Sequence, residues 1–127
     1  MIEGIVSLRP FVPAKDFAQS KEFYETLGFQ SRSIGPQMTH MQLGPDRGRF
    51  AFILQDYYVE DFAKNLVMHF LLDDVEEWWN HIDSLSLDKH FPVPPPKAPK
   101  LQPWGLRVSY VIDPAGVLWQ FAEDSRT

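Results

Sequence analysis

Three side chains in strand-like surroundings could do chemistry: Arg9, His69 and Gln120. Gln120 interrupts the run Val117-Leu118-Trp119-Gln120-Phe121. Side chains alternate along a strand, so its amide lies on the face opposite Val117, Trp119 and Phe121. His69 sits inside the apolar stretch Leu66-Val67-Met68-His69-Phe70-Leu71-Leu72. It is either a base or ligand contact, or a histidine satisfied within the fold. Arg9, at the centre of a strand-like run from Ile5 to Val12, must meet a carboxylate, a bound anion or water. Gln120 could contact a ligand, or bond Arg9 or His69 in a polar network.

The other histidines carry less. His81 lies on a helix between Asn80 and Ile82 and is expected to face solvent, His90 sits beside a loop, and His40 is on a strand whose facing the pattern leaves open. The acidic cluster Asp73, Asp74, Glu76 and Glu77 falls at a helix start. Capping and the helix dipole explain it better than paired acid–base carboxylates. Trp78 and Trp79 are expected to cover the sheet and rim.

The elements that position these groups read as one unit written twice. In the first, Ile5 to Val12 is strand-like and Asp16 caps a helix, with Gln19 three residues on. Phe17, Ser20, Tyr24 and Leu27 fall at helical spacing, and Gly28 stops the helix. In the second, Leu66 to Leu72 is the strand, Asp74 the cap and Glu77 its box partner, followed by the stripe Val75, Trp78, Trp79, Ile82, Leu85. Three short strands are expected after each helix, the last preceded by a turn: Pro45-Asp46-Arg47-Gly48 in the first copy, Asp113-Pro114-Ala115-Gly116 in the second. The second copy is longer by a proline-rich stretch, 92–103. The spacing thus predicts two βαβββ modules, about 1–60 and 61–127, packed as a single domain because neither half alone can bury both a helix and a sheet face.

Composition narrows the function classes. A 127-residue chain with hydrophobic residues at 44% and charged residues at 23% suits a globular protein. No run approaches the ~20 apolar residues of a membrane span. With no cysteine there is no disulfide framework and no thiolate chemistry. Without a signal-like start, a cytoplasmic location is expected. A net charge of -5 argues against nucleic acid and, if charge matters to a ligand, favours a cation.

The stretch "FVPAKDFAQSKEFYETLGF" and the ending "PWGLRVSYVIDPAGVLWQF" resemble the vicinal oxygen chelate superfamily, and within it the bleomycin-resistance-type members. The resemblance is carried by Asp16, Ser20, Phe23, Tyr24, Leu27, Gly28 and Phe29, and by Trp104, Gly105, Arg107, Asp113, Pro114, Gly116 and Trp119. It implies an α+β fold in which the two modules form curved antiparallel half-barrels around a concave pocket. It also implies four strand positions that hold a metal in metal-using members. Carried onto this chain they are Arg9, Phe52, Val67 and Gln120. One amide, one cation and two apolar side chains cannot hold a divalent ion, which needs three or four His or carboxylate ligands. No metal and no cofactor are therefore expected.

His69, two residues after Val67, shares its face and is expected in the pocket, with Phe50, Phe52, Leu54 and Leu71 as lining and Trp104 as a wall. The proline-rich stretch is expected to be a stiff insertion at the pocket mouth, rather than a P-x-x-P ligand. The leading reading is a metal-free protein that binds an apolar or aromatic, and by its charge cationic, small molecule, as a homodimer with pockets lined by both subunits. The alternative is a lyase, isomerase or dioxygenase-type enzyme with non-standard active-site residues, and a third reading is a partner domain with a vestigial pocket.

Overall fold

The computed structural model describes residues 3–44 and 50–124. The turn expected at Pro45 to Gly48 lies outside them. Eight strands and four helices follow in the order β1 (Phe11–Pro13), α1 (Phe17–Leu27), β2 (Gln30–Gly35), β3 (Met38–Leu43), β4 (Phe50–Gln55), α2 (Glu60–Asn65), β5 (Val67–Leu71), α3 (Val75–Ser84), α4 (Leu87–His90), β6 (Lys97–Leu101), β7 (Arg107–Ile112) and β8 (Leu118–Glu123). They form two four-stranded sheets, ordered β1-β4-β3-β2 and β5-β8-β7-β6.

Both sheets are mixed rather than wholly antiparallel. β1 runs parallel to β4 and β5 parallel to β8, whereas the hairpin-linked pairs are antiparallel. The helical crossover carries the chain from the first strand of each sheet to its far edge, and two antiparallel connections bring the last strand back beside the first, in the same direction. The caps act as the sequence indicates. The Asp16 carboxylate accepts from Gln19 N at 3.1 Å, and that of Asp74 accepts from Glu76 N and Glu77 N, each at 3.1 Å. Gly28, at φ +122°, ends α1, its N–H donating to Glu25 O and that of Phe29 to Tyr24 O. Two short helices, α2 and α4, have no counterpart in the sequence reading. The proline-rich stretch is not simply an inserted loop, since Lys97–Leu101 within it is strand β6. As an edge strand β6 pairs only with β7, so Pro99 deprives no second neighbour of a hydrogen bond.

Register fixes which face of each sheet is buried. On the first sheet Val12, Thr39, Met41, Phe52 and Leu54 share one face and are at most 2% exposed. On the second, Val111, Trp119 and Phe121 do the same. These inner faces meet in one aromatic core. Phe52 lies 5.4 Å from Trp119 between ring centroids, Tyr24 on α1 lies 4.8 Å from Phe52, and Trp78 on α3 lies 4.9 Å from Phe121. The other face of each sheet lies on the far side from this core; Phe11, Val67 and Leu71 are exposed there, whereas Pro13, His40, Val108 and Ala122 are buried.

Candidate functional site

The second sheet carries the better-formed site on its open face. His69, Gln120, Tyr110 and Lys97 are consecutive cross-strand partners on β5, β8, β7 and β6, so their side chains stand in one row. His69 Nδ1 and Gln120 Oε1 are 2.9 Å apart. An amide oxygen only accepts, so Nδ1–H is the donor, leaving His69 Nε2 as an acceptor and the Gln120 amide N–H groups as donors toward the open side. Apolar neighbours border this row: Val67, Leu118 and Ile112 on one side, Leu71 and Ala122 on the other. Beside it lies a cavity of about 430 Å³ walled by Pro94, Pro95, Lys97, Tyr110, Ile112 and Leu118. That volume falls within the usual range for small-molecule sites.

The residues singled out from the sequence divide into five groups. Val67, His69, Leu71 and Gln120 come together on the second sheet's open face. Arg9 belongs to the first sheet's open face, beside Ala51, and no hydrogen bond joins it to His69 or Gln120 among the described residues. Phe50 and Phe52 line a crevice of about 210 Å³ at the seam between the sheets, with Ala51, Phe70, Trp119 and His69 itself. Leu54 is fully buried in the core. The parity assumed for Phe50, Phe52 and Leu54 therefore fails by one residue. Ile53, paired with Phe11 as Gln120 is with His69, is the first sheet's equivalent of Gln120. Trp104 does not wall the cavity. It is half-exposed in the β6–β7 turn, at the opposite end of β7 from Ile112.

The observed register of β4 adds no metal ligand. With Ile53 or Ala51 in place of Phe52, the donor set is still one imidazole and one amide already bonded to each other, beside a cation and aliphatic groups. Among the described residues no three His, Cys, Asp or Glu side chains converge. These residues do not fit a divalent ion.

Tyr110, Ile112 and Lys97 are the site residues that the sequence reading missed. The signal was available: Tyr110 and Ile112 alternate with the inward-facing Ser109 and Val111, and β7 pairs with β8. His81 also departs from expectation, because its Nε2–H donates to Leu27 O at 2.8 Å and so ties α3 to the end of α1. The paired acidic residues at the start of α3 have structural work. Asp74 caps the helix, and Glu76 accepts from Arg107 Nη2 at 2.6 Å.

A family model described as the Glyoxalase/Bleomycin resistance protein/Dioxygenase superfamily matches residues 5–121, and the chain belongs to that superfamily. Among solved structures, a bleomycin-binding protein complexed with bleomycin superposes with a TM-score of 0.75 at 24% identity, over 94% of this chain and 98% of that one. A bleomycin resistance determinant encoded on the transposon Tn5 gives 0.73 at 24% identity, covering 94% and 98%. Lactoylglutathione lyase from Agrobacterium tumefaciens gives 0.64 at 20% identity, covering 96% and 94%. At these identities the likeness establishes the fold. No curated protein sequence gives a significant match. Among the described residues no helix is long and apolar enough to cross a membrane.

Proposed function

We propose that this chain is a small-molecule binding protein of the bleomycin-resistance type, holding an apolar or aromatic ligand on the second sheet without a metal. One observation carries the reading: Tyr110 and Lys97, at one end of the row His69–Gln120–Tyr110–Lys97, line a cavity with the apolar Pro94, Pro95, Ile112 and Leu118. Tyr110 offers a flat face for stacking, and His69 and Gln120 offer one acceptor and one donor to orient the bound group. The superposed protein whose structure holds bleomycin supports a binder over a catalyst. So does a polar row without a nucleophile or paired carboxylates.

The two modules, about 1–60 and 61–127, act in this reading as one unit that pairs with a second copy. Phe11, Val67 and Leu71 stand on the open faces at 45%, 50% and 61% exposure. Apolar side chains concentrated there favour an isologous dimer that closes each site with the partner's sheet. The acidic chain as a whole draws cations toward it at long range.

A thermal-shift titration with bleomycin and a panel of aromatic cations and neutral aromatics tests the reading. A ligand of the folded state raises Tm in a concentration-dependent way. Tyr110→Ala should lose that rise, and light scattering should give a dimer mass. A panel without any Tm change, or equal shifts in wild type and Tyr110→Ala, would count decisively against the site.

A further inference from the structure

The first sheet's open face has a different chemistry. Its positions are Phe11 and Pro13 on β1, Gln30 and Arg32 on β2, Met38, His40 and Gln42 on β3, and Ala51, Ile53 and Gln55 on β4. Arg9 joins them beside Ala51, placed there by the Leu8–Phe50 bridge and the Phe11–Ile53 pair. The chain carries a net charge of -5, yet none of these positions is acidic. Arg32 and His40 are direct cross-strand partners. Among the described residues neither guanidinium is ion-paired, and Arg9 spends only its Nε–H, on Ser7 Oγ at 2.8 Å.

His40 supplies the second observation. It is 2% exposed, and its Nε2 is buried with no hydrogen-bond partner among the described residues. A buried ring nitrogen left unpaired carries the desolvation cost of that group; of the three such atoms among the described residues, with Ser20 Oγ and Trp78 Nε1, it is the one flanked by cations. Burial, then Arg9, then Arg32 push the imidazole below its ordinary pKa. An anion between the two guanidiniums would neutralise them, and the enclosed His40 ring would have to turn to bring its Nε2–H to it.

We infer that the open face of the first sheet is an anion subsite, which takes the carboxylate, sulfate or phosphate group of a small molecule between Arg9, Arg32 and His40. The inference rests on groups of the first sheet and not on the cavity of the second; in the proposed dimer the partner's sheet faces this surface. The overall charge governs long-range approach, whereas these local groups decide what the face holds.

The test is an NMR titration of histidine-labelled protein at constant ionic strength, with inorganic phosphate in one arm and benzoate in the other. The His40 ring signals should shift and saturate. Arg9→Ala and Arg32→Ala, both on exposed side chains, should each weaken binding about tenfold or more. Lys97→Ala on the other sheet should leave it unchanged. Saturation with phosphate alone would identify a free oxyanion site, and tighter binding of benzoate an acid on an aromatic body. Absence of a saturable His40 shift with either probe would overturn the inference. Equal affinity in the Arg9→Ala/Arg32→Ala double variant would do the same. Neither result bears on the Tyr110 cavity, whose ligands are read separately by Tm.

Discussion

The Tyr24 hydroxyl donates a hydrogen bond to the Asp113 carboxylate across 89 residues of sequence, joining α1 of the first half to the turn before the last strand. The same hydroxyl accepts from Trp119 Nε1 at 2.9 Å. The other carboxylate oxygen of Asp113 accepts from Ala115 N at 2.8 Å and Val117 N at 2.9 Å, which fixes the turn. Tyr24, Asp113 and Trp119 all belong to the motifs through which the sequence resembles its superfamily. They touch one another in the core. Their recurrence at opposite ends of the chain is explained by a polar clasp between the halves, fully satisfied and therefore specific in geometry.

Tyr24→Phe tests the clasp. The ring and its contacts with Phe52 and Trp119 remain, while Asp113 Oδ2 and Trp119 Nε1 lose their partner in the core. Unsatisfied buried groups should lower stability by about 2–4 kcal/mol, read as a fall in the urea midpoint with unchanged m. A loss under 0.5 kcal/mol, on the scale of an ordinary surface change, would mean that water replaces the hydroxyl.

Asp113 should also give the protein a distinctive pH dependence. Burial raises its pKa from 3.8 to about 6, against the opposing pull of the Tyr24 hydroxyl and the turn N–H groups. In that window the folded state holds a proton that the unfolded chain has released. Stability from this group is therefore full below pH 3.8 and lost as pH rises through 6, a difference of about 2–3 kcal/mol. Asp113→Asn keeps an oxygen for the Ala115 and Val117 N–H groups and does not titrate. Urea unfolding at pH 4.5 and pH 7 should show the wild type losing more stability than the variant on going to the higher pH. Parallel profiles for the two proteins would refute the assignment.

The helices were the most legible part of the chain, because Asp16, Asp74 and Gly28 are local signals whose effect needs no knowledge of the rest. The caps half a chain apart also disclosed the repeat. Facing on β4 differs from expectation because the count starts from Gly48, outside the described residues, and a one-residue slip in a strand turns every side chain over. On β8 the same count from Gly116 gave the right face for Gln120, where the turn is held by Asp113 itself. Tyr110 and Lys97 went unassigned, and the facing of His40 stayed open, for a different reason. Alternation along β7 gives the face of Tyr110, but the significance of all three lies in cross-strand neighbours, and pairing is information that a single strand does not contain.

Phe52→Ala and Leu54→Ala separate core from pocket. Both side chains are buried, at 1% and 0% exposure, so truncation should cost about 3–5 kcal/mol for Phe52 and 2–5 for Leu54. Ile53, one residue between them on the open face, should tolerate Ile53→Thr with under about 1 kcal/mol of loss. Thermal or urea unfolding of the three variants decides the facing of β4. Comparable losses at all three positions would mean that both faces of the strand are packed.

The last prediction concerns Gln120. Gln120→Ala removes the partner of His69 and one of the orienting donors without disturbing the core, since the side chain stands on the open face. Ligand affinity should fall by about 1–2 kcal/mol, the worth of a lost oriented hydrogen bond and a freed imidazole, while Tm of the unliganded protein should move little. Gln120→Glu tests the chemistry of the donor set more sharply. It places a carboxylate beside His69, yet the remaining neighbours are Val67, Leu118 and Tyr110, none of which completes a coordination sphere for a divalent ion. Dialysis of this variant against Zn²⁺ or Mn²⁺ followed by elemental analysis should find no stoichiometric metal. One equivalent retained by Gln120→Glu and not by wild type would show that a single substitution restores a metal centre, and the reading of this face as a site for organic ligands would have to be given up.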